Sequence, residues 1–226
     1  MKRLYIFLLL AAVFWAAWWF FRRGRVADRT GECRVLRRIE RDDGVIVEIV
    51  DEGCQEGLPH TTGKNIVRIT EPKWKSERKD EIMRHEYVHL WQKSDPTAWA
   101  QFYYKAWGYE LLPRPPPDIP TDLIRRLRPN PDTRAAPWAL WRGKYLFFPV
   151  YRDSKKRLTD AKVIVWNVDT RGVEPAPDAW RRFFCDADSC PTQYEHPHEI
   201  SAEYHTIGLK TPASALLEKF IANVRK

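Results

Sequence analysis

Two histidines and a glutamate within residues 84–92 have the types and the spacing suited to metal chemistry. His85 and His89 are four residues apart and Glu86 follows the first, which is the HExxH pattern. On a helix, residues four apart lie one turn apart on the same face, so both imidazoles can bind one ion with Glu86 beside it. The pattern predicts a zinc ion, and hydrolysis with Glu86 as the general base.

The residues around the motif favour a helix. Neither Gly nor Pro interrupts residues 76–94, and apolar side chains recur at three- and four-residue spacings, as one buried helical face requires. These side chains are Ile82, Met83, Tyr87, Leu90 and Trp91. The alternative is an amphipathic helix whose two histidines lie in the core or on the surface and bind no metal.

A second informative helix is predicted near the C-terminus, where Pro197 precedes a run of helix formers. Glu199 and Glu203 lie one turn apart on this helix and share a face. A zinc site with two histidines on one helix needs a third protein ligand, and a carboxylate from a separate helix meets that need. We therefore predict Glu199 as the third ligand and Glu203 as a carboxylate that orients a ligating imidazole.

Together the two segments resemble the gluzincin metallopeptidases. HEYVH at residues 85–89 and EISAE at residues 199–203 fit the family's HExxH and downstream ExxA-acid pattern, and Gln92 extends the likeness to small HExxHxxQ zincins. His196 stands where those proteins have asparagine, and Glu203 where aspartate is commoner. The resemblance implies an α+β, zincin-like fold, a zinc cofactor, the same ligand set, and peptide or protein substrates.

Other residues near the downstream helix could complete or close the site. His196, His198 and His205 are further ligand candidates, and Tyr204 and His205 are candidates to stabilise the oxyanion on the attacked carbonyl. The alternative function is a membrane-tethered structural or binding module with a structural or vestigial zinc site, because structural zinc is usually closed by four protein ligands. Amide or cell-wall hydrolysis by the same site is a further alternative.

The net charge of +8 is concentrated at the N-terminus. Residues 1–25 hold five Lys or Arg and no acid, which leaves +3 for residues 26–226, so no nucleic-acid partner is expected. Within residues 1–25, the stretch of residues 4–21 is uncharged, apolar and rich in Trp near its C-terminal end. This stretch is long enough to cross a bilayer, and we predict a single-pass membrane anchor over residues 1–25. A cleaved signal peptide is the alternative.

The four cysteines predict two disulfides. A two-residue hairpin turn at residues 43–44 would place Cys33 opposite Cys54, and Cys185 and Cys190 close a small loop. A reduced set or a cysteine metal site is the alternative. Because disulfides persist outside the cytosol, they favour an extracytoplasmic domain, although the arginines that follow the apolar stretch favour a cytoplasmic one.

The rest of the chain predicts a small sheet and several helices, and hence an α+β class for one zincin-like domain over residues 26–226. The predicted strands are residues 65–70, 138–151 and 161–168, and the predicted helices are residues 95–109 and 177–184. The first strand is expected at a sheet edge that could hold an extended peptide. Residues 113–137 carry eight prolines and predict a long loop or insertion that could cover a site, with a plain surface loop as the alternative.

Overall fold

Two β-sheets pack around the helix that carries the HExxH motif. The computed structural model describes residues 33–152, 160–187 and 189–224. The first sheet has the strand order β1-β2-β4-β3, with β2 and β4 parallel and the other pairs antiparallel. Its strands are β1 (Val35–Glu40), β2 (Ile46–Val50), β3 (His60–Thr62) and β4 (Ile66–Thr70).

The second sheet is an antiparallel meander of five strands in sequence order. Its strands are β5 (Tyr109–Leu112), β6 (Trp138–Trp141), β7 (Tyr145–Tyr151), β8 (Ala161–Asn167) and β9 (Gly172–Val173). The α+β class predicted from the sequence is therefore confirmed. The expectation of one small sheet is wrong, because the C-terminal half builds a larger sheet of its own.

Seven α-helices of the described residues connect and cover these sheets. They are α1 (Glu71–Trp74), α2 (Lys79–Ser94), α3 (Pro96–Phe102), α4 (Thr121–Arg125), α5 (Asp178–Phe184), α6 (Pro197–Ile207) and α7 (Pro212–Val224). The predicted helix over residues 95–109 is shorter, because a π turn at Tyr103–Trp107 and the left-handed Gly108 end it. Asp95 caps α3 as its position before Pro96 suggests, accepting a hydrogen bond from the Ala98 N–H.

The motif helix α2 is buried on two sides rather than on one face. Met83 and Leu90 pack with the apolar residues of the first sheet. Val88 and Trp91 instead join the cluster formed with the second sheet and the C-terminal helices. Because both long sides of the helix are covered, its histidines are held in a fixed direction between two cores.

Aromatic side chains fill the larger core and fix the C-terminal helices on the second sheet. Trp180 stacks on Phe147 and on Phe184, with ring centroids 5.2 and 4.9 Å apart. Trp107 meets Tyr204 of α6 edge to face, and its indole N–H donates to the Ala213 carbonyl oxygen. Aromatic rings prefer such offset-stacked and edge-to-face arrangements, so these contacts set the position of α6 against the motif helix.

Two strand predictions differ from the structure because of their turns. Arg41 pairs with Val45 beyond the ends of β1 and β2, which leaves a turn of three residues with Gly44 left-handed at φ +79°. The register is therefore one residue away from that of a two-residue turn. Residues 138–151, predicted as one strand, form the hairpin β6–β7 around a turn at Arg142 and Gly143, both with positive φ. Asp43-Gly44 marks the first turn but not its length, and Arg142-Gly143 is a weak turn signal.

Both predicted disulfides are confirmed, Cys33–Cys54 and Cys185–Cys190. Cys54 begins a short 3₁₀ turn beyond the end of β2, so the pair meets past the hairpin ladder rather than within it. The described residues contain no free cysteine. This oxidised state favours a compartment outside the reducing cytosol.

The prediction of a single-pass membrane protein is corrected. Across residues 33–152, 160–187 and 189–224, no helix combines the length and the apolar character needed to cross a bilayer. The longest of these helices, α2, has 16 residues, fewer than the roughly 20 apolar residues that a bilayer requires. The segment on which the anchor was predicted, residues 4–21, lies outside the described residues.

Candidate metal centre

Three side chains from two helices bring their donor atoms to one point. His85 and His89 of α2 have their Nε2 atoms 3.1 Å apart. Glu199 of α6 places Oε2 3.2 Å from the first of these atoms and 3.4 Å from the second. His89 and Glu199 are buried, and His85 is the most accessible of the three, with 16% of its side chain exposed. The three donors form a nearly regular triangle that opens toward a cleft.

The local sequence explains why α6 can present Glu199 to α2. Pro197 occupies the first turn of the helix, where its missing N–H costs nothing. His196 caps the same end, because its Nδ1 accepts from the His198 N–H, 3.2 Å away. Ile200 and Ala202 are fully buried in the aromatic core, so the helix is held from its other side. Glu199 is left pointing at the histidines.

Gln92 fixes the orientation of the ligand His89. Its Oε1 accepts a hydrogen bond from His89 Nδ1 at 2.8 Å, which leaves Nε2 directed at the donor triangle. Its amide nitrogen donates to Ser201 Oγ at 2.9 Å and lies 3.1 Å from the carbonyl oxygen of His198, both on α6. Gln92 therefore holds the imidazole tautomer and joins the two ligand-bearing helices in one contact.

The Pro-rich connection over residues 113–137 supplies Asn130 to the site, and no sequence motif marks this residue. Asn130 donates from Nδ2 to Glu199 Oε1 at 2.8 Å, so that the other carboxylate oxygen faces the histidines. Two residues later Asp132 accepts from the Thr61 N–H at 3.0 Å and from Lys93 Nζ at 2.8 Å. Residues 129–132, in the later part of this connection, line the cleft.

The same contacts close the sheet edge beside the metal helix. β4, the strand predicted to lie at the edge, is interior, because β3 pairs with it. On β3 the outward N–H of Thr61 is taken by Asp132, and its carbonyl oxygen accepts from Lys93 Nζ at 2.9 Å. An extended peptide would find these main-chain groups of Thr61 already occupied.

Glu86 lies beside the donor triangle with an unused carboxylate oxygen. The residue is only 4% exposed, and its Oε2 has no hydrogen-bond partner among the described residues. Burial, together with the negative charges of Asp132 and Glu199, raises the pKa of the Glu86 carboxyl well above its usual range, against the opposing effect of His89. In the metal-free protein the neutral form of this carboxyl is therefore favoured.

The donor triangle itself attracts positive charge. Burial acts to lower the pKa of His89, but the carboxylates of Glu199 and Asp132 outweigh it and raise the value to about 10. Burial likewise acts to raise the pKa of Glu199, yet His89 and His85 hold it well below its usual range. The site therefore stabilises a cation between these side chains, and without a metal that cation is a proton.

A cleft of about 890 Å³ opens in front of the triangle. One wall comes from α1 and the start of α2, including Lys73 and Ile82, and another from residues 129–132. Gln55 and Glu56, both left-handed despite carrying side chains, contribute a further wall, with φ of 46° and 59°. A volume of this size admits several residues of a peptide.

The remaining predicted site residues lie in other surroundings. The Glu203 carboxylate accepts from the Thr192 N–H at 2.8 Å and the Gln193 N–H at 2.9 Å, and so anchors the loop before α6. The Tyr204 hydroxyl donates to a core carbonyl, and His205 packs edge to face on Trp91. Both line a second hollow formed with α7, and neither lines the cleft before the triangle. The structure thus does not bring the two oxyanion candidates to the metal ligands.

The alternative ligands among the histidines are engaged elsewhere. His196 Nε2 donates to the Ala136 carbonyl oxygen at 3.0 Å while its Nδ1 caps α6, and burial lowers its pKa to about 4. His198 Nδ1 lies 3.4 Å from the Asp132 carbonyl oxygen. A further cluster of Cys33, Cys54 and His60 offers no thiolate, because both sulfurs are in the disulfide.

Gln92 could have been found from its place on the motif helix, because it lies three residues after His89 on the same face. Asn130 and Asp132 have no such signal.

Compared with known proteins, the chain matches no protein family, no curated protein and no solved structure.

Proposed function

We propose that the protein is a zinc-dependent metallopeptidase, which hydrolyses peptide bonds in peptide or protein substrates. The observation that carries the proposal is the donor triangle with sides of 3.1, 3.2 and 3.4 Å. A tetrahedral zinc ion with bonds of about 2.0–2.1 Å requires donors about 3.3 Å apart. The residues therefore fit zinc in both chemistry and spacing, as a His₂Glu set that leaves a fourth position free.

The electrostatics of the triangle support the same ion. The pKa of His89 is raised to about 10 because two carboxylates next to it demand a positive charge. A zinc ion would meet this demand with both imidazoles neutral, which is the form that binds metal. When bound, zinc supplies Lewis-acid activation of a carbonyl oxygen and lowers the pKa of water toward 7.

Glu86 is the residue that would move the proton. Its Oε2 is buried, has no hydrogen-bond partner among the described residues, and lies on the helix that supplies both histidines. It would take a proton from the attacking water and deliver it to the leaving amine, which completes hydrolysis without a covalent intermediate. Gln92 and Asn130 hold His89 and Glu199 in place during this transfer.

A structural zinc site is the second candidate, and the surroundings of the histidines weigh against it. Such a site needs a fourth protein ligand. His196 and His198 use their rings on the backbone carbonyl oxygens of Ala136 and Asp132, and His205 packs on Trp91. Among the described residues, the cluster around Glu199 has three donors and a cleft before it, which favours a hydrolytic site.

The test compares Glu86→Gln with Glu81→Gln, a matched change on the same helix where the carboxylate pairs with Arg78. Zinc content is measured by elemental analysis, and hydrolysis with fluorescein-labelled casein. Glu86→Gln should keep zinc and lose activity by about a hundredfold to ten-thousandfold, since it removes the general base. Glu81→Gln should keep both.

His85→Ala and Glu199→Ala extend this test to the ligands, and both variants should lose zinc. Retention of zinc by Glu199→Ala would remove that residue from the ligand set. Wild-type protein that binds no zinc, or unchanged hydrolysis by Glu86→Gln, would contradict the proposed function.

A further inference from the structure

One cation in the cleft wall has no partner. Three cationic side chains line the cleft, and two of them are paired. Arg78 lies 2.6 Å from Glu81, and Arg128 Nε lies 3.5 Å from a carboxylate oxygen of Glu56. The ammonium group of Lys73 makes no ion pair or hydrogen bond with any residue in the described ranges.

The carboxylates of the cleft do not supply the missing partner, because each has another role. Asp132 is paired with a lysine of α2, Glu199 faces the imidazoles, and Glu203 accepts from two backbone N–H groups. Glu86 acts on the amino group of Lys73 only through the field of its charge and is the proposed base. An anion that pairs with Lys73 must therefore come from outside the described chain.

The surroundings of Lys73 hold its charge in the cleft. Its helix α1 is fixed by Trp74, which packs against the core of the first sheet. The Lys73 carbonyl oxygen accepts from the Ser76 hydroxyl at 2.8 Å, which sets the backbone. The side chain is half-buried, and this burial lowers its pKa. Partial loss of hydration without a hydrogen-bonded counter-charge is unfavourable, so an incoming anion would gain a strong charge-assisted hydrogen bond.

Resting on the proposed peptidase function, we propose that Lys73 forms a subsite for a substrate carboxylate. The protein would then act preferentially on peptides with an acidic side chain, or a C-terminal carboxylate, close to the scissile bond. A lysine offers a point charge on a flexible stem rather than a planar fork. The subsite therefore selects negative charge and tolerates variation in the exact position of the carboxylate.

The test compares Lys73→Gln and Lys73→Glu with Lys75→Gln, a matched control on an exposed lysine that pairs with Glu71 and does not line the cleft. The probes are three acetylated alanine peptides: one with a central Glu and an amidated C-terminus, its Gln counterpart, and the Gln peptide with a free C-terminal carboxylate. The second and third differ only in the terminal carboxylate, so the two sources of charge are separated.

For the wild type and Lys75→Gln, kcat/KM should be about tenfold higher for a carboxylate-bearing peptide than for the neutral one. Lys73→Gln should remove this preference while it retains hydrolysis of the neutral peptide, and Lys73→Glu should reverse it. A preference that survives in Lys73→Gln, or a wild type without one, would overturn the subsite.

A binding measurement separates this proposal from the proposed function. Calorimetry of the Glu86→Gln variant with the same peptides reports the subsite without any hydrolysis. If the wild type cleaves neither labelled casein nor any of the peptides, but carboxylate binding is about tenfold tighter and is lost when Lys73→Gln is added, the peptidase function fails and the subsite stands. Equal binding of all three peptides refutes the subsite, whether or not they are cleaved.

Discussion

Replacing Glu86 by Gln should make the metal-free protein more stable at neutral pH, although it removes the proposed base. The Glu86 carboxyl is 4% exposed, and its Oε2 has no hydrogen-bond partner among the described residues. Its ionised form is therefore unfavourable in the folded state, and this is why its pKa is raised well above the ordinary value of 4.5. Gln has the same shape and carries no charge.

The size and pH dependence of the effect follow from that buried oxygen. While the pH lies below the folded-state pKa, each pH unit above the ordinary value costs the wild type about 1.4 kcal/mol that Gln does not incur, which corresponds to about 4 °C in Tm for a chain of this size. Below the ordinary pKa of 4.5, Glu86 is protonated in both the folded and the unfolded states, and the advantage of Gln vanishes. As the pH rises above 4.5, the Glu86 carboxyl ionises in the unfolded chain but stays protonated in the folded protein. The stability advantage of Glu86→Gln therefore appears and grows until the pH reaches the folded-state pKa.

Thermal unfolding in a metal chelator, followed by circular dichroism at about pH 4 and about pH 7.5, measures the difference directly. Glu81→Gln is the control, because that partly exposed carboxylate pairs with Arg78 and has its pKa lowered by this hydrogen bond. The control should show no gain in Tm at the higher pH. If Glu86→Gln melts at the same temperature as the wild type at about pH 7.5, or lower, the carboxylate is not held unfavourably and the reasoning fails.

Two further variants test the supports of the site. Gln92→Leu should lower zinc affinity by about 10-fold to 100-fold, measured by competition with a chromophoric chelator, because His89 loses the acceptor for its Nδ1–H; unchanged affinity would contradict this role. Lys93→Met should lower the free energy of unfolding in urea by about 2 kcal/mol, because it leaves the buried Asp132 carboxylate without its cation. Adding Asp132→Asn should recover part of that loss, and no recovery would indicate that the pair is not the cause.

The ligand helices could be predicted from the sequence because their signals are local. The four-residue spacing of His85 and His89 and the lack of Gly and Pro around them specify a helix, which the structure has at Lys79–Ser94. Pro197 marks the start of the helix that carries Glu199. Once both helices are known, two histidines and a carboxylate need only one packing contact to meet.

The residues that depend on long-range packing could not be predicted. Asn130 reaches Glu199 across 69 positions, and the partners of Asp132 lie on a strand and a helix that precede it. Tyr204 is close to Glu199 in the sequence, but five residues turn a helix well past the same face, and the Tyr204 ring enters the aromatic core. The spacing of residues in the sequence predicts which side chains share a helix face, but it does not predict which other elements that face will contact.

The distance along the chain between the ligands has a consequence for when the centre can form. His85 and Glu199 are 114 positions apart, with the whole second sheet encoded between them. At synthesis rates of about 5–20 residues per second, His85 leaves the ribosome about 6–23 seconds before Glu199 does. Throughout that interval a nascent chain holds only two of the three donors. The three-donor centre can therefore form only after the second sheet and the segment that carries Glu199 have been synthesised.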